Sequence, residues 1–223
     1  MRRATAIGAG AGVVLTLAAL APPVDARAES SLAVHMLQHL TLMFAAAPLL
    51  AWACPMLVLS SPLGRRAVGL LDRRAVRVAT SPAVAWLALA MVMTTTHVPW
   101  VVDTVERTPP LHAAEHAVYL LAGVLFWRPA LGPEGAGKLR RPLRLPYLVS
   151  AMPAGDLVGM WLVTRAAPVY AGYDSVQGQR AAGAAMIGAS FVLAVVAVCQ
   201  AWGSLTREQR RADVAERLGA PVG

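Results

Sequence analysis

Five long blocks of apolar residues constrain the fold of this chain more than any other feature of its sequence. Each block is close to the ~20 residues that an α-helix needs to cross a bilayer. In a water-soluble helix or strand, the apolar residues would instead recur in periodic stripes. Pro48 and Pro153 are expected to kink the first and fourth of the resulting helices. We therefore predict an all-α fold, a polytopic transmembrane helix bundle with about five spanning helices, at residues 31–60, 82–102, 111–126, 145–163 and 181–202.

Composition and motif content argue against a soluble enzyme. Hydrophobic residues make up 57% of the 223 residues and charged residues only 14%, whereas charged residues reach about 25% in ordinary soluble domains. The sequence contains no nucleophile elbow, phosphate-binding loop or H-E-x-x-H segment. We therefore predict that the protein is not an enzyme.

The first 28 residues are typical of a targeting segment. Two arginines precede an apolar run, and Ala26-Arg27-Ala28 matches the pattern that signal peptidase recognises. The segment is interpreted as a signal peptide or a retained signal-anchor helix, with a slight preference for cleavage after Ala28 because two prolines break the helix before it. The predicted domains are this segment, the transmembrane helical bundle and a cytoplasmic tail, at residues 1–28, 29–204 and 205–223.

Most of the 20 basic residues, which give a net charge of +8, lie in clusters between and after the predicted helices. The clusters are Arg65, Arg66, Arg73, Arg74 and Arg77, then Arg128, Lys138, Arg140, Arg141 and Arg144, and finally Arg207, Arg210, Arg211 and Arg217. They do not alternate with aromatic residues as a base-stacking surface would, so we predict no nucleic-acid partner. Such clusters mark the cytoplasmic side and can bind anionic lipid headgroups. We predict a multi-pass membrane protein with its basic loops and C-terminus in the cytoplasm.

All five histidines fall in the outer half of the predicted bundle. His35 and His39 are four residues apart, as are His112 and His116, so each pair lies on one face of its helix. With a rise of about 1.5 Å per residue, His116 and His97 lie roughly 18–22 Å above the cytoplasmic boundary and His39 about 30 Å above it. Histidines from three helices are therefore expected in one layer.

This layer predicts a metal site. Imidazoles that converge from three helices can form the first ligand shell of a metal ion. Thioether together with imidazole favours Cu(I) over hard cations. The candidate ligands are His35, His39, His97, His112, His116, Met36 and Met43. In the alternative interpretation, the histidine pairs only form hydrogen bonds at helix interfaces and the methionines only pack.

Two acidic residues in the predicted helices also need an explanation. Glu115 lies within the second histidine pair and can orient an imidazole, although from a different helix face. Asp156 interrupts the fourth apolar block, where it is interpreted as a proton relay, a metal ligand or an ion-pair partner. The alternative is a helix–helix hydrogen bond beside Gly155-x-x-x-Gly159, a spacing that favours close packing.

Five segments of the sequence resemble one known family. They are His35-Met36-Leu37-Gln38-His39-Leu40, Ser81-Pro82-Ala83-Val84-Ala85-Trp86, Thr96-His97-Val98-Pro99, Leu111-His112-Ala113-Ala114-Glu115-His116 and Phe126-Trp127-Arg128-Pro129. In this order they are similar to the CtaG-type membrane proteins, which are assembly factors of caa3-type cytochrome c oxidase. The resemblance implies a polytopic protein that is required to build the oxidase and has oxidase subunits as partners. It also implies handling of copper during its insertion into an oxidase subunit.

Three functions follow from these observations as hypotheses. The preferred one is an oxidase assembly factor that binds Cu(I) through the histidines and delivers it on the non-cytoplasmic side, as a metallochaperone. The second is a haem-binding membrane electron carrier, in which histidines of different helices, such as His39 and His116, are the axial ligands. The third is a metal-free scaffold that stabilises an oxidase subunit by contact.

Overall fold

The computed structural model is a bundle of helices, and it describes residues 2–59, 80–132 and 138–217 together with positions 66, 74 and 78. No strand occurs in these parts of the chain. Within them, three helical stretches are long and apolar enough to cross a membrane, or up to five if each of two bent helix pairs forms one span. The prediction of an all-α polytopic membrane protein is confirmed.

The helices follow one another in a simple order along the chain. They are α1 (Arg2–Ala19), α2 (Pro22–Ala28), α3 (Leu32–Leu40), a π-helical segment (Thr41–Ala46), α4 (Ala47–Leu59), α5 (Pro82–Thr95), α6 (Pro99–Glu106), α7 (Pro109–Leu131), α8 (Arg141–Val149), α9 (Met152–Thr164) and α10 (Val176–Arg217). Proline occupies the first or second position of α2 and of α5 to α9. Its fixed φ suits a helix start, and its missing N–H would be unpaired there in any case.

The first predicted spanning helix is continuous from α3 through α4 but contains the π-helical segment Thr41–Ala46. Pro48 lacks the N–H that would bond to the carbonyl of Phe44, and the irregular turn lies immediately before it. Trp127 of α7 donates its indole N–H to the carbonyl of Met43 at 2.9 Å. The kink expected at Pro48 therefore takes the form of a π-helical turn. A side chain of the neighbouring helix α7 donates a hydrogen bond to one of the carbonyl groups of this turn.

The second predicted helix, over residues 82–102, is interrupted by a sharp bend in the structure. Helix α5 ends at Thr95, and α6 begins at Pro99 at an angle of 82° to it. Pro99 cannot donate a hydrogen bond to Thr95, and it pushes Val98 into an extended conformation with ψ of 128°. His97 consequently lies in a turn between two helices rather than on a helix face.

The remaining helices extend beyond their predicted limits. Helix α7 covers 23 residues, and α10 covers 42 residues. The fourth predicted span consists of α8 and α9, which separate just before Pro153. Pro153 was expected to kink this span, and the interruption lies at that point because a proline is favoured in the first turn of a new helix.

Close contacts between glycines and neighbouring helices bring the bundle together. On α1, a Cβ at Gly8 would lie 2.6 Å from the Trp52 ring of α4. Helices α9 and α10 approach at Gly159, where a Cβ would lie 2.6 Å from the carbonyl oxygen of Gly183. Small residues permit such approach of helix backbones in membranes. Gly155 instead faces the Met93 side chain of α5, so the two glycines of the predicted packing sequence serve different interfaces.

The basic clusters are described only in part. Arg65, Arg73 and Arg77 of the first cluster, and residues 218–223 of the predicted tail, lie outside the described residues. The described Arg66 and Arg74 are exposed. In the second cluster Arg144 is buried, and its Nε donates to the carbonyl of Leu139 at 3.1 Å.

Candidate metal centre

Four of the five histidines form one compact group between α3 and α7, which we call the histidine cluster: His35, His39, His112 and His116. The four-residue spacing places each pair on a single helix face, and the two faces meet. The rings of His35 and His112 stack with centroids 5.4 Å apart, and those of His39 and His116 are 5.2 Å apart. All four side chains are buried, with at most 9% of each residue exposed. The predicted convergence of these two helices is therefore found in the structure.

His97 lies beside the histidine cluster rather than within it. Its Nε2 is 3.2 Å from the Sδ of Met36, and its Nδ1 is 3.3 Å from Thr96 Oγ1. Tyr170 holds the turn by donating its hydroxyl to the carbonyl of His97 at 3.1 Å. The structure thus brings the His97 imidazole and the Met36 thioether of the predicted ligand set into contact. Met36 directly follows His35 in the sequence.

Met43, the other predicted thioether ligand, packs against α7. It is fully buried in the π-helical segment, and its backbone lies against Gly123, where a Cβ would be 3.0 Å from the Met43 carbonyl oxygen. Gly123 is seven residues beyond His116, or roughly 10 Å along the helix axis. The backbone of Met43 therefore lies beside Gly123 and not beside the histidines of α7.

A first group of potential metal ligands consists of His35, His39, His112 and Glu115. Each offers one ligand atom, these atoms lie within 4.8 Å of one another, and all four residues are buried. Glu115 was expected on a different helix face with only an orienting role. Its Oε2 lies 3.6 Å from Nε2 of His39, because α3 packs against the side of α7 that carries Glu115. The Glu115 carboxylate therefore lies among the potential ligands.

A second group consists of Asp25, His112 and His116, which meet the same distance condition. Asp25 comes from α2, within the segment that the sequence assigns to targeting. Gln38 of α3 donates from Nε2 to Oδ1 of Asp25 at 3.1 Å and to the carbonyl of Ala19 at 2.9 Å. Sequence reasoning missed Asp25, and the only signal was an acidic residue directly before the proposed cleavage site.

Buried polar atoms without hydrogen-bond partners concentrate at these two groups. An unpaired buried polar group costs roughly 1–3 kcal/mol, so such atoms are uncommon in folded proteins. Seven of them belong to the histidine cluster and its acidic neighbours, namely His35 Nδ1, His39 Nδ1, His39 Nε2, His112 Nε2, His116 Nε2, Glu106 Oε1 and Glu115 Oε2. Imidazole nitrogens and carboxylate oxygens are common metal donors, and a bound ion would satisfy several of these atoms at once.

Glu106 connects the histidine cluster to the surface. Its Oε1 lies 3.2 Å from Nδ1 of His35 and 3.7 Å from Nε2 of His112, without hydrogen-bond geometry. It also lines an open cavity of about 250 Å³ together with Glu29, Asp103, Arg107 and Gly172. Three carboxylates against one guanidinium make this cavity favourable for a cation. Glu106 was not among the candidate site residues that the sequence indicated.

Aromatic side chains enclose the cluster. The Tyr119 ring stacks on His39 with centroids 4.0 Å apart, and its hydroxyl shares a hydrogen bond with Thr96 at 2.6 Å. Tyr173 packs edge-on to His35 and donates to the carbonyl of Ala28 at 3.0 Å. Burial, and then the nearby Glu106 carboxylate, raise the pKa of Tyr173. The phenol therefore stays protonated at neutral pH and keeps its role as a donor.

Asp156 lies in a separate part of the bundle. Its Oδ1 accepts a hydrogen bond from Ser190 of α10 at 2.5 Å. It belongs to neither of the two ligand groups found among the described residues. The structure therefore places Asp156 in a helix–helix hydrogen bond between α9 and α10, which is one of the two interpretations that the sequence left open.

Comparisons with known proteins provide one result on relationship. The model of a protein family described as cytochrome c oxidase caa3 assembly factor matches residues 3–208 of the chain. No curated protein and no solved structure matches it. The matched region includes both helices of the N-terminal segment and every residue of the histidine cluster.

Proposed function

Since the chain belongs to the cytochrome c oxidase caa3 assembly factors, we propose that it supports assembly of the oxidase by binding copper in the histidine cluster and handing it to an oxidase subunit. The observation that supports this proposal is the concentration of seven buried nitrogen and oxygen atoms without hydrogen bonds around four imidazoles. Five of these atoms lie only 3.2–3.7 Å from another one of them, in imidazole–carboxylate contacts. Buried polar groups are usually hydrogen-bonded, and a metal ion bound among these atoms would satisfy several of them at once.

The donor chemistry supports copper as the ion. Imidazole nitrogen binds copper in both oxidation states, and the Met36 thioether beside His97 adds a soft donor that suits Cu(I). Glu115 adds a harder oxygen donor that Cu(II) or Zn(II) would also accept. We propose Cu(I) as the delivered ion, and competition with the other two ions measures this preference directly.

The direction of delivery follows from the charge distribution along α7. His112 and Arg128 lie 16 residues apart on this helix, which corresponds to roughly 24 Å of rise. The acidic cavity lies at the histidine end, and the second basic cluster starts at the arginine end. By the positive-inside rule, the basic clusters and the C-terminus face the cytoplasm of a bacterial plasma membrane, contact its anionic lipids, and leave the histidine cluster near the opposite face.

The haem and scaffold hypotheses have less support. His39 and His116 are in direct ring contact, with centroids 5.2 Å apart, which leaves no space for a macrocycle between them. A scaffold without metal would gain nothing from burying unpartnered imidazoles, because each one costs free energy. The proposed role is therefore that of a metallochaperone rather than an enzyme.

Anaerobic titration of the purified protein with Cu(I) against a competing chelator tests this proposal. The His39→Ala plus His116→Ala double variant removes one ligand from each group, and we expect tight binding to be lost. The control is Asp156→Asn, which changes an acidic side chain outside both groups and should retain most of the affinity. Absent binding, or binding that the double variant leaves unchanged, would contradict the proposal and favour the scaffold.

A further inference from the structure

We infer that α1 and α2 remain part of the mature protein and that Asp25 of α2 is a copper ligand, which creates a second position for the ion with His112 and His116. This inference rests on the proposed function. The two positions share His112, so an ion can pass between them by exchanging the ligands around one imidazole.

The first argument is that the proposed cleavage site is built into the fold. Ala28 is completely buried and ends helix α2. Its carbonyl accepts the hydrogen bond from Tyr173, a residue of the loop before α10. Cleavage after Ala28 would cut the chain at a buried residue. The carbonyl of this residue accepts a hydrogen bond from Tyr173, which lies 145 residues further along the sequence.

The second argument is that α1 packs as an integral helix of the bundle. A Cβ at Gly8 would meet the Trp52 ring, and a Cβ at Gly12 would lie 2.8 Å from the Leu50 side chain. Glycines at these contacts let α1 approach α4 closely, as small residues do between membrane helices. Removal of α1 would expose this part of α4.

The third argument is the geometry of Asp25 itself. Its carboxylate lies within 4.8 Å of ligand atoms of His112 and His116. His116 is 7% exposed, and its Nε2 has no hydrogen-bond partner. Gln38 holds Asp25 in place by donating to one carboxylate oxygen, and it also ties down the end of α1. An oriented carboxylate therefore faces an unpaired, buried imidazole.

The location of Glu106 suggests a role for the second copper position in the transfer of the ion. Glu106 lines the acidic cavity and approaches His112, the imidazole that both groups share. Copper held by the first group can shift onto Asp25 and His116 without leaving His112. During transfer to a partner, the copper ion then stays bound to at least one side chain of the protein and is not released as a free ion.

The first experiment tests retention of the segment and does not depend on copper. The chain is produced in a bacterial membrane with a C-terminal tag, and the purified protein is analysed by intact mass and N-terminal sequencing. We expect an intact segment before Glu29. A mature protein that begins at Glu29 would overturn the inference while leaving the first ligand group in place.

The second experiment is a double-mutant cycle in the full-length chain, with Cu(I) as the probe and Cu(II) in a parallel series because a carboxylate oxygen suits the harder ion. His39 belongs only to the first group and His116 only to the second. Asp25→Asn should weaken binding roughly 10-fold or more in the His39→Ala background. In the His116→Ala background, where the second position is already lost, it should change binding by less than about 2-fold.

The control and the contrary outcomes keep the two proposals distinguishable. Asp156→Asn alters another half-buried acid, one outside both ligand groups, and should have no effect in the His39→Ala background. Equal effects of Asp25→Asn in both backgrounds, or none in either, in both copper series would overturn the inference while the proposed function stands. A wild-type protein that binds no copper would overturn both.

Discussion

Replacing Gly159 by alanine should separate α9 from α10. The new Cβ would lie 2.6 Å from the carbonyl oxygen of Gly183, and real Cβ atoms essentially never come within 3.0 Å of another heavy atom. The opposing atom is backbone, so no side-chain rotation relieves the clash. The Ile187 side chain, at 2.9 Å from the new atom, adds further crowding. The two helices must therefore move apart.

The magnitude follows from two opposing effects. Overpacking a tight interface costs about 1–3 kcal/mol, and crowding by both backbone and side chain favours the upper part of this range. Alanine in place of glycine recovers about 1 kcal/mol of helix propensity. We expect Gly159→Ala to lower the free energy of unfolding by about 2 kcal/mol.

Gly188→Ala is the matched control on α10. A Cβ at Gly188 would meet no atom within 4 Å, so this change should be neutral or should stabilise the protein by up to about 1 kcal/mol. Equilibrium unfolding in mixed micelles, followed by tryptophan fluorescence, measures both variants against the wild type. If Gly159→Ala proves as stable as Gly188→Ala, the close approach of α9 and α10 at Gly159 is refuted.

Two further predictions concern the surroundings of the histidine cluster. Tyr173→Phe removes one of the two donors to the Ala28 carbonyl, which also accepts a hydrogen bond from the backbone N–H of Ser31. We therefore expect a loss of about 0.5–1.5 kcal/mol and faster proteolysis after α2. Unchanged stability and unchanged digestion would contradict the role of this hydrogen bond. Glu106→Gln removes the carboxylate that approaches His35, and we expect Cu(I) affinity to fall roughly 10-fold. Glu29→Gln, in the same cavity, is the control and should change Cu(I) affinity by less than about 2-fold. Similar losses in both variants would show that Glu106 acts only through its contribution to the negative charge of the cavity.

The helical class and the main pair of site helices were predictable because both depend on local spacing. The length of an apolar block indicates a span, and a separation of four residues places His35 with His39 and His112 with His116. Counting residues from the basic clusters placed both pairs in the outer half of the bundle. This was sufficient to predict that α3 and α7 bring their histidines together, although no local pattern shows that two helices touch.

The remaining features depend on information that local patterns do not carry. Asp25 was missed because a charged start, an apolar run and small residues are shared by signal peptides and by membrane helices. The break at His97 had a visible cause in Pro99, but the apolar run on both sides of it favoured a continuous helix. The roles of Met36 and Met43 depend on tertiary neighbours, because a thioether packs equally well in either setting.

The π-helical segment Thr41–Ala46 sets the angular phase between two parts of one long helix. Each residue of an α-helix turns the chain by about 100°, so one residue more or less between His39 and Pro48 would rotate the imidazoles far from α7 while α4 kept its packing. The π-helical turn, which contains more residues per turn than an α-helix, accommodates the extra residue inside the membrane span. The number of residues in the segment, more than their identity, therefore determines whether His35 and His39 face the histidines of α7. A one-residue deletion there would disrupt the histidine cluster more than most substitutions would.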